Sequence, residues 1–353
     1  MNDAALTTAD MFRRLIRTTG PISLSQFMGE SNARYYAGKD PIGTRGDFIT
    51  APEISQMFGE LIGLWLADMW MRAGRRDPVY YVELGPGRGT LAKDALRSAK
   101  RYGLNMQPHF IEGSPALREI QRAAVPGVIH HDDFSTVPAN GPLLVVGNEF
   151  FDALPVRQLV RAAEGWRERM VALEGDAFVF AAGSQPMDAA VPDGWRQAVQ
   201  GAIIETCPGA SAVMADIAAR LKRQGGAGLF IDYGHADMRG GSTLQAVRNH
   251  QKVDPFSSPG EADLTAHVDF ATLAQVAQAS GARWLGTVTQ GEWLKRLGID
   301  MRTEALTRQA PHYKTALQQA RHRLTADDQM GLLFKVMGLA APVWSGGTGF
   351  SDS

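Results

Sequence analysis

The feature that most constrains the fold of this chain is a glycine-rich turn that separates an apolar strand from a helix. Val79–Leu84 is a short run of β-branched and aromatic residues, and apolar residues at helical spacing begin at Leu91. Between them the pattern E-x-G-x-G-x-G runs from Glu83 to Gly89. Glycine tolerates positive φ and lets a ligand lie directly against the main chain. We therefore predict a strand, a tight turn and a helix, with a nucleoside-type cofactor at the turn.

The spacing of the glycines favours one class of cofactor. Dinucleotide enzymes use G-x-G-x-x-G, and here Thr90 occupies the position of the third glycine. The third glycine comes one residue earlier, at Gly89, and Glu83 stands two residues before Gly85. A carboxylate at the strand end repels phosphate but attracts an ammonium or sulfonium group. S-adenosylmethionine carries both cations, so we predict that Glu83, Gly85, Gly87 and Gly89 bind it.

Acidic residues after the next two strands extend the predicted cofactor site. Glu112 ends the second strand, where an acid can hold two ribose hydroxyls. After the third strand come Asp132, Asp133 and Phe134. A carboxylate there could accept the adenine amino group while Phe134 stacks on the ring. The alternative is a solvated turn with Phe134 folded into the core.

Apolar runs alternate with helical patterns from Val79 onward, which is typical of a doubly wound parallel sheet. Seven strands are predicted, at Val79–Leu84, His109–Glu112, Val128–His131, Leu143–Gly147, Gly228–Asp232, Arg283–Thr289 and Leu332–Leu339. This number is expected of an α/β Rossmann-like class I methyltransferase with a mostly parallel seven-stranded sheet. In such sheets the ligand lies beyond the carboxyl ends of the strands, so the residues after each strand are the candidate site residues.

The predicted domain organisation has three parts. Residues 1–78 form a helical N-terminal extension with a loop on the substrate side, 79–344 form the methyltransferase domain, and 345–353 form a disordered tail. Two insertions interrupt the domain, at 153–210 and 236–268. The first contains short apolar runs separated by glycine turns, which predicts a small antiparallel β subdomain. The second contains a long polar segment of the kind that forms functional lids.

Asn148, Glu149 and Asp152 are the predicted catalytic residues. They follow the buried-strand run Leu143–Gly147, at the sheet edge where a transferred methyl group should lie. Burying a carboxylate without a partner is costly. We therefore infer that a positively charged group of the substrate approaches these acids.

The candidates for substrate binding are polar and aromatic residues in the loop region of the N-terminal extension and after the fifth strand. They are Tyr35, Tyr36, Asp47, Thr50, Glu53, Tyr233 and His235. Thr50 and Glu53 also form a capping box, so they serve either to begin a helix or to line the active site. His235 follows the fifth strand and could act as a base. A lone histidine is, however, more often a hydrogen-bonded structural residue.

Composition excludes several functional classes. The chain has 353 residues and a formal net charge of −1, which argues against a protein that binds nucleic acid by broad phosphate neutralisation. Its single cysteine, Cys207, cannot form an internal disulfide and fits a reducing compartment. No apolar run reaches membrane-spanning length, and Met1–Gly20 lacks the apolar core of a signal peptide. The sequence predicts a cytoplasmic protein without a metal site.

Five stretches of the chain, in the same order and spread over nearly its whole length, resemble the family of mitochondrial complex I assembly factor 7, also called MidA. They are Phe48–Gln56, Glu83–Thr90, Asn148–Pro155, Ile231–Gly234 and Ala262–Phe270. The resemblance implies an S-adenosylmethionine-dependent protein arginine methyltransferase that modifies the large hydrophilic subunit of NADH dehydrogenase during assembly. Its eukaryotic members work in the mitochondrial matrix. The lack of a convincing transit peptide suggests a bacterial homologue.

The chemistry of the candidate residues is compatible with that implication. Arginine is a poor nucleophile because its charge is delocalised and its pKa is very high. Carboxylates can orient a guanidinium through paired hydrogen bonds and stabilise charge as its proton leaves. Glu149 and Asp152 are the candidates for this role, and Asn148 supplies an amide.

Two other functions remain open at the level of sequence. One is methyl transfer to a small molecule or a nucleic-acid base, although the chain lacks a basic face. The other is a noncatalytic docking protein for assembly, which the presence of both Glu83 and Glu112 disfavours. A homodimer is also possible.

Overall fold

The structure, a computed structural model, describes residues 6–38, 50–249 and 251–350. These residues fall into two compact units. The first comprises the described residues of 1–41, 152–210 and 238–267, and the second those of 42–151, 211–237 and 268–353. Of the described part of the predicted extension, 1–78, residues 6–38 belong to the first unit and residues 50–78 to the second, and the predicted domain boundaries stay a prediction.

The helices follow the chain as α1 (Thr8–Thr19), α2 (Leu24–Gly38), α3 (Ala51–Ile54), α4 (Gln56–Arg72), α5 (Thr90–Lys100), α6 (Pro115–Ala124), α7 (Pro208–Gln224), α8 (Phe270–Ala279), α9 (Gln290–Arg296), α10 (Ile299–Gln309), α11 (Lys314–Thr325) and α12 (Met330–Leu333). Short 3₁₀ turns occur at Phe134–Thr136, Asp188–Ala190, Asp193–Trp195 and Pro311–Tyr313. Among the described residues, no helix is long and apolar enough to cross a membrane.

The strands are β1 (Ile22–Ser23), β2 (Tyr80–Leu84), β3 (Gln107–Ile111), β4 (Ile129–His131), β5 (Leu143–Asn148), β6 (Arg157–Ala162), β7 (Gly165–Glu174), β8 (Ala177–Pro186), β9 (Ile203–Thr206), β10 (Gly226–His235), β11 (Gln245–Arg248), β12 (Gln251–Val253), β13 (Asp263–Thr265), β14 (Val268–Asp269), β15 (Arg283–Thr289) and β16 (Phe334–Ala340).

The second unit is built on a mixed sheet in the order β15-β16-β10-β5-β2-β3-β4, with β14 paired to β10 outside this path. All seven predicted strands are present in it, whereas the two-residue strand β14 was not predicted. Neighbours from β10 to β4 pair in parallel, and β16 is antiparallel to both β10 and β15. Every residue of β2 and of β5 is buried, as expected of central parallel strands covered on both faces.

The register of the parallel strands brings their carboxyl ends to one edge of the sheet. Leu84 of β2 lies opposite Ile111 of β3 and Gly147 of β5, and Asn148 lies opposite Ile231 of β10. The segments that follow β2, β3, β5 and β10 therefore meet at this edge. The candidate cofactor and catalytic residues of the second unit lie in these segments, at the ends of β2 and β5, and after β4, whose His131 lies opposite Ile111.

Helix α4 packs its apolar stripe into the core of the second unit. Phe58, Leu61, Trp65 and Met69 are each at most 4% exposed, as the helical spacing predicts. The capping box at Thr50–Glu53 marks the start of the short helix α3 rather than that of α4. The chain makes the four-residue helix α3 from Ala51 and then breaks at Ser55, whose Oγ accepts a hydrogen bond from Met57 N and caps α4.

The first unit contains the predicted antiparallel meander. Strands β6, β7 and β8 pair in antiparallel order, and β1 and β9 extend the sheet to five strands. A separate three-stranded sheet has the order β12-β11-β13. Helices α1 and α2 contribute Phe12 and Phe27 to the core of this unit, where both rings contact Phe178 of β8.

The tail from residue 345 was predicted to be disordered, but its described part is packed against the second unit. Phe350 is 8% exposed, and its ring centroid lies 6.2 Å from that of Trp65. Thr348 donates from N and Oγ1 to Asp68 Oδ2, both at 3.1 Å. The Gly- and Ser-rich composition suggested disorder, but one aromatic side chain supplies enough apolar surface to dock the segment.

Candidate active site

The glycine turn has the predicted geometry. Strand β2 ends at Leu84 and helix α5 begins at Thr90, and between them Gly85, Gly87 and Gly89 have φ of +57°, +54° and +80°. A Cβ on Gly85 would lie 3.0 Å from Phe150 Cδ2, so a larger residue would be both strained and crowded there. Gly89 is the N-cap of α5 and lies against Ala124 and Val125 at the end of α6.

One small cavity of about 60 Å³ brings together half of the described site residues that were predicted in the second unit. Its lining residues are Thr50, Pro52, Glu53, Glu83, Gly85, Pro86, Gly87, Arg88, Thr90, Leu91, Asn148 and Glu149. Three of these residues are carboxylates and one is an arginine. Binding sites for whole small molecules, at about 300–1,000 Å³, are several times larger than this cavity.

Glu83 is buried at the centre of this cluster. It is 3% exposed, and Oε2 accepts a hydrogen bond from Tyr81 Oη at 2.6 Å. Burial raises the pKa of Glu83 to about 8, against the smaller opposing effect of the Tyr81 hydrogen bond. An uncharged carboxyl group therefore predominates at neutral pH, and a cation beside it would favour its ionised form.

Glu53 and Thr50 enter the site from the start of α3. Thr90 Oγ1 donates a hydrogen bond to Glu53 Oε1, which joins α3 to the first residue of α5. Thr50 occupies the N-cap position of α3, but its side chain makes no capping hydrogen bond. The capping box therefore predicted where the helix begins but not the hydrogen bonds of its two polar residues.

The turn after β5 holds Glu149 in a strained backbone conformation. Its φ is +52°, which is uncommon for a residue with a side chain and frequent at functional sites. Its N donates to Ile231 O at 2.8 Å, and Oε1 accepts from Asn148 Nδ2 at 3.1 Å and from Ala51 N at 3.4 Å. Asn148 Oδ1 is buried and has no hydrogen-bond partner in the part of the chain that the structure describes.

Asp232 supports this turn from β10. Asp232 is 1% exposed, and its Oδ2 accepts a hydrogen bond from Phe151 N at 3.0 Å. Oδ1 accepts from Tyr233 N, also at 3.0 Å. Asp232 ends the predicted strand Gly228–Asp232 and has no role among the sequence predictions. Its position beside the turn depends on the pairing of β10 with β5.

Glu112 lies at the end of β3 and is connected to the glycine turn by a residue that was not predicted. Glu112 Oε1 accepts from Ser114 N at 2.8 Å, and Oε2 accepts from Gln121 Nε2 at 3.1 Å. Gln121 Nε2 also donates to Gly87 O at 2.7 Å. No sequence pattern marks Gln121, because it belongs to a helix whose polar residues are otherwise mostly exposed.

The candidates for adenine binding follow β4. Asp132 is exposed and pairs with Arg118 at 2.5 Å, and Asp133 Oδ1 accepts from Ser135 N at 2.8 Å. The Ser135 hydrogen bonds lower the pKa of Asp133. The guanidinium of Arg220 lies 5.0 Å from the ring centroid of Phe134. These contacts suit a capped turn, and adenine binding by the three residues stays a prediction.

Tyr233 and His235 lie at the end of β10, and neither belongs to the cavity lining. The Tyr233 ring centroid is 5.6 Å from that of Phe334. His235 Nδ1 donates to Asp237 O at 2.6 Å and lies 3.9 Å from Asp269 Oδ1. These contacts fit a structural histidine, and substrate binding by either residue stays a prediction.

Tyr35, Tyr36 and Asp152 belong to the first unit. Tyr36 Oη donates to Asp263 Oδ1 at 2.9 Å, and burial followed by the charges of Asp263 and Asp152 raises the pKa of Tyr36 well above its usual value. Asp152 is 6% exposed, and its carbonyl accepts from Ala266 N at 3.0 Å. Asp263, which was not predicted as a site residue, is 4% exposed.

The roles of these three residues stay predictions. Asp47, another predicted substrate residue, lies outside the described residues. Among the described residues, no group of three or more His, Cys, Asp or Glu side chains is placed to hold a metal ion.

Comparison with known proteins adds four findings. The model of a family described as "Putative S-adenosyl-L-methionine-dependent methyltransferase" matches residues 61–288. Protein arginine methyltransferase NDUFAF7 of Xenopus laevis, a mitochondrial protein, is 35% identical over 91% of this chain and 81% of its own length. Its Homo sapiens counterpart is 34% identical over 92% of this chain and 81% of its own length. A crystal structure from Burkholderia thailandensis, bound to S-adenosyl-homocysteine, has 28% identity and a TM-score of 0.82 and covers 96% of this chain and 92% of its own.

Proposed function

Because this chain belongs to the family of S-adenosyl-L-methionine-dependent methyltransferases, we propose that it transfers a methyl group to an arginine side chain of a protein. The proposal follows the name of its vertebrate relatives, which are protein arginine methyltransferases. The finer fold that we propose is the Rossmann-like class I methyltransferase fold, with a mostly parallel sheet of seven principal strands.

The observation that carries the proposal is the cavity that joins the glycine turn, Glu83 and the Asn148–Glu149 turn. Three features of it fit the cofactor. The glycines leave the main chain open, Glu83 is a buried acid that a neighbouring cation would ionise, and Asn148 Oδ1 is a buried acceptor that lacks a partner among the described residues. The ammonium and sulfonium groups of S-adenosylmethionine are cations that suit such acceptors.

In this proposal the cofactor residues divide the binding between them. Glu83 and the glycine turn hold the amino-acid part, and Glu112 accepts hydrogen bonds from the ribose hydroxyls. When bound, the cofactor supplies an electrophilic methyl group on a sulfonium. Asp132, Asp133 and Phe134 are the proposed surroundings of the adenine.

The remaining candidate residues act on the acceptor arginine. Glu149 accepts hydrogen bonds from the guanidinium, which orients one nitrogen toward the methyl group and localises its lone pair. The same carboxylate stabilises the positive charge until the proton leaves. Asp152, three residues further along the chain, is the second carboxylate proposed for this role. Tyr35, Tyr36, Asp47, Thr50, Glu53, Tyr233 and His235 are proposed to line the path of the substrate.

A methyl-transfer assay with radiolabelled S-adenosylmethionine tests the proposed activity. Three kinds of acceptor are offered separately: a mixture of cellular proteins, a mixture of cellular RNA and a small-molecule extract. We expect label in protein and, after digestion, mass spectra that locate methyl groups on arginine. Label confined to RNA, to small molecules or to lysine would overturn the arginine assignment. Absence of transfer, with tight binding of S-adenosyl-homocysteine, would favour the noncatalytic docking alternative.

We propose the large hydrophilic subunit of NADH dehydrogenase as the substrate on the strength of the family resemblance. The test uses that subunit isolated from cells with and without this protein. Mass spectrometry should find one arginine methylated only where the protein is present. An unchanged methylation pattern would leave arginine transfer intact but assign it to another substrate. We also propose that this chain works in the cytoplasm, since its one cysteine suits a reducing compartment.

A further inference from the structure

Gln121 makes three hydrogen bonds in the interior of the second unit, two from its NH₂ group and one at its amide oxygen. The residue is fully buried, with 0% exposure. Its Nε2 donates to the Gly87 carbonyl at 2.7 Å and to Glu112 Oε2 at 3.1 Å. Its Oε1 lies 2.8 Å from His130 Nε2. One side chain of α6 thus joins the turn after β2, the end of β3 and strand β4.

The chemistry of the neighbours allows only one orientation of the amide. The Gly87 carbonyl and the Glu112 carboxylate are both acceptors, so they require the NH₂ group and would repel Oε1. Oε1 then faces His130, which must donate from Nε2. Burial, followed by the charges of Arg122 and Arg118, lowers the pKa of His130, which favours the neutral imidazole, and the contact with the acceptor Oε1 assigns its proton to Nε2. In this one arrangement each of the three contacts pairs a donor with an acceptor.

We propose that Gln121 is a positioning residue of the cofactor site, which fixes Glu112 and the Gly87 carbonyl for recognition of the ribose hydroxyls. The proposal rests on the proposed role of Glu112. A glutamate held at one oxygen by Ser114 N and at the other by Gln121 keeps its remaining lone pairs in a fixed direction. A pair of vicinal hydroxyls can then donate to it without any cost of ordering the carboxylate.

Two substitutions of Gln121 separate positioning from packing. Gln121→Met keeps the length of the side chain and removes all its hydrogen bonds, which frees Glu112 to rotate. Gln121→Glu keeps the shape and places a carboxylate against two acceptors, so Glu112 and Gly87 are pushed apart. At pH 8 we expect S-adenosyl-homocysteine to bind about tenfold more weakly to Gln121→Met than to the wild type, and still more weakly to Gln121→Glu.

A second probe asks whether the loss concerns the ribose. It is the analogue of S-adenosyl-homocysteine that lacks both ribose hydroxyls, and binding is followed by calorimetry. The wild type should lose about tenfold or more in affinity for the analogue, whereas Gln121→Met should lose little further. If Gln121 only supports the fold, Gln121→Met should bind both probes more weakly by the same factor. That result would overturn the proposal.

Matched controls cover the other outcomes. Gln290 is also 0% exposed, but its Nε2 donates to Leu324 O at 2.9 Å and not to a residue of the proposed cofactor site. Gln290→Met should therefore bind both probes as tightly as the wild type does. If Gln121→Met does not fold, His130→Phe replaces it as the test, because it removes the β4 side chain that donates to Gln121 Oε1. The affinities of His130→Phe for the two probes should differ less than those of the wild type. An unchanged difference in His130→Phe would count against the proposal. A wild type that binds neither probe would refute the cofactor site itself, which is a separate result.

Discussion

At the scale of single residues, the buried carboxyl of Glu83 dominates the electrostatics of the candidate site. Its pKa of about 8 lies above that of an exposed glutamate because burial penalises the charged form. The folded protein therefore holds this proton over a pH range in which the unfolded chain has released it. Two consequences of this difference can be measured.

The first concerns stability without cofactor. Since the folded pKa is raised, the free energy of unfolding should fall as pH rises from about 4.5 to about 8, and this penalty should be complete above that range. Glu83→Gln removes the titration and should stabilise the protein relative to the wild type by a few kcal/mol at pH 8 and by much less at pH 5, on the order given by the shift. Urea unfolding of both proteins at pH 5 and at pH 8 provides the measurement. The same difference in the free energy of unfolding at the two pH values would contradict the prediction.

The second concerns cofactor binding. At pH 7 the Glu83 carboxyl is mostly protonated, and the positive charge of S-adenosylmethionine should drive its proton off. Calorimetry in buffers of different ionisation enthalpy should therefore detect close to one proton released per molecule bound. Glu83→Gln should bind more weakly and release none. The same proton release in both proteins would show that another group titrates.

Glu149 is the residue whose substitution best separates cofactor binding from methyl transfer. Glu149→Gln keeps the size of the side chain and an acceptor for Ala51 N, but it loses the charge that orients a guanidinium. We expect S-adenosyl-homocysteine to bind within about threefold of the wild-type affinity, while methyl transfer falls by about 100-fold or more. Loss of both activities would instead assign Glu149 to the fold or to the cofactor.

At the scale of secondary-structure elements, the contact between α4 and α5 fixes the position of the helix that follows the glycine turn. Gly63 of α4 lies so close to α5 that a Cβ would approach Ala95 O to 2.2 Å. Since α5 begins directly after the turn, any displacement of this helix moves Gly89 and Thr90 with it. The close approach of two helices thus serves the cofactor site without touching it.

Gly63→Ala tests this dependence. Overpacking should cost about 1–3 kcal/mol in the free energy of unfolding and should weaken S-adenosyl-homocysteine binding because α5 is displaced. Gly209→Ala is the control, since Gly209 also lies in a helix but a Cβ there meets nothing within 4 Å. Its stability should be unchanged or raised by up to about 1 kcal/mol. A Gly63→Ala protein as stable as this control would contradict the close packing.

At the scale of the whole molecule, the C-terminal segment belongs to the folded core of the second unit. The Phe350 ring covers Gly338 of β16, where a Cβ would lie 2.5 Å from the ring, and it contacts Trp65 of α4. A segment that composition marks as disordered therefore covers part of the principal sheet at Gly338.

Phe350→Ala should lower the free energy of unfolding by about 3–5 kcal/mol, because it removes a buried aromatic side chain. Val343→Ala provides the control, since Val343 precedes the same segment and is 78% exposed. Its effect should stay within about 0.5 kcal/mol. Thermal or urea unfolding of the two variants gives the comparison, and equal stabilities would mean that the tail contributes nothing to the core.

The sequence alone determined the features that depend on contiguous residues. Hydrophobic runs predicted every long strand of the principal sheet, and the spacing of Glu83, Gly85, Gly87 and Gly89 indicated both the turn and its cofactor. The predicted parallel direction of the strands then required their carboxyl ends to share an edge. These are consequences of local backbone preference and of regular sheet geometry, which neighbouring residues specify by themselves.

Tertiary structure decided the features that depend on distant residues. The raised pKa of Glu83, the support that Asp232 gives to the Glu149 turn and the bridge from Gln121 to Glu112 and Gly87 all arise from strand and helix pairing. The docking of Phe350 has the same origin. A side chain's burial and its hydrogen-bond partners follow from which elements become neighbours in space, and no local pattern in a single sequence records that.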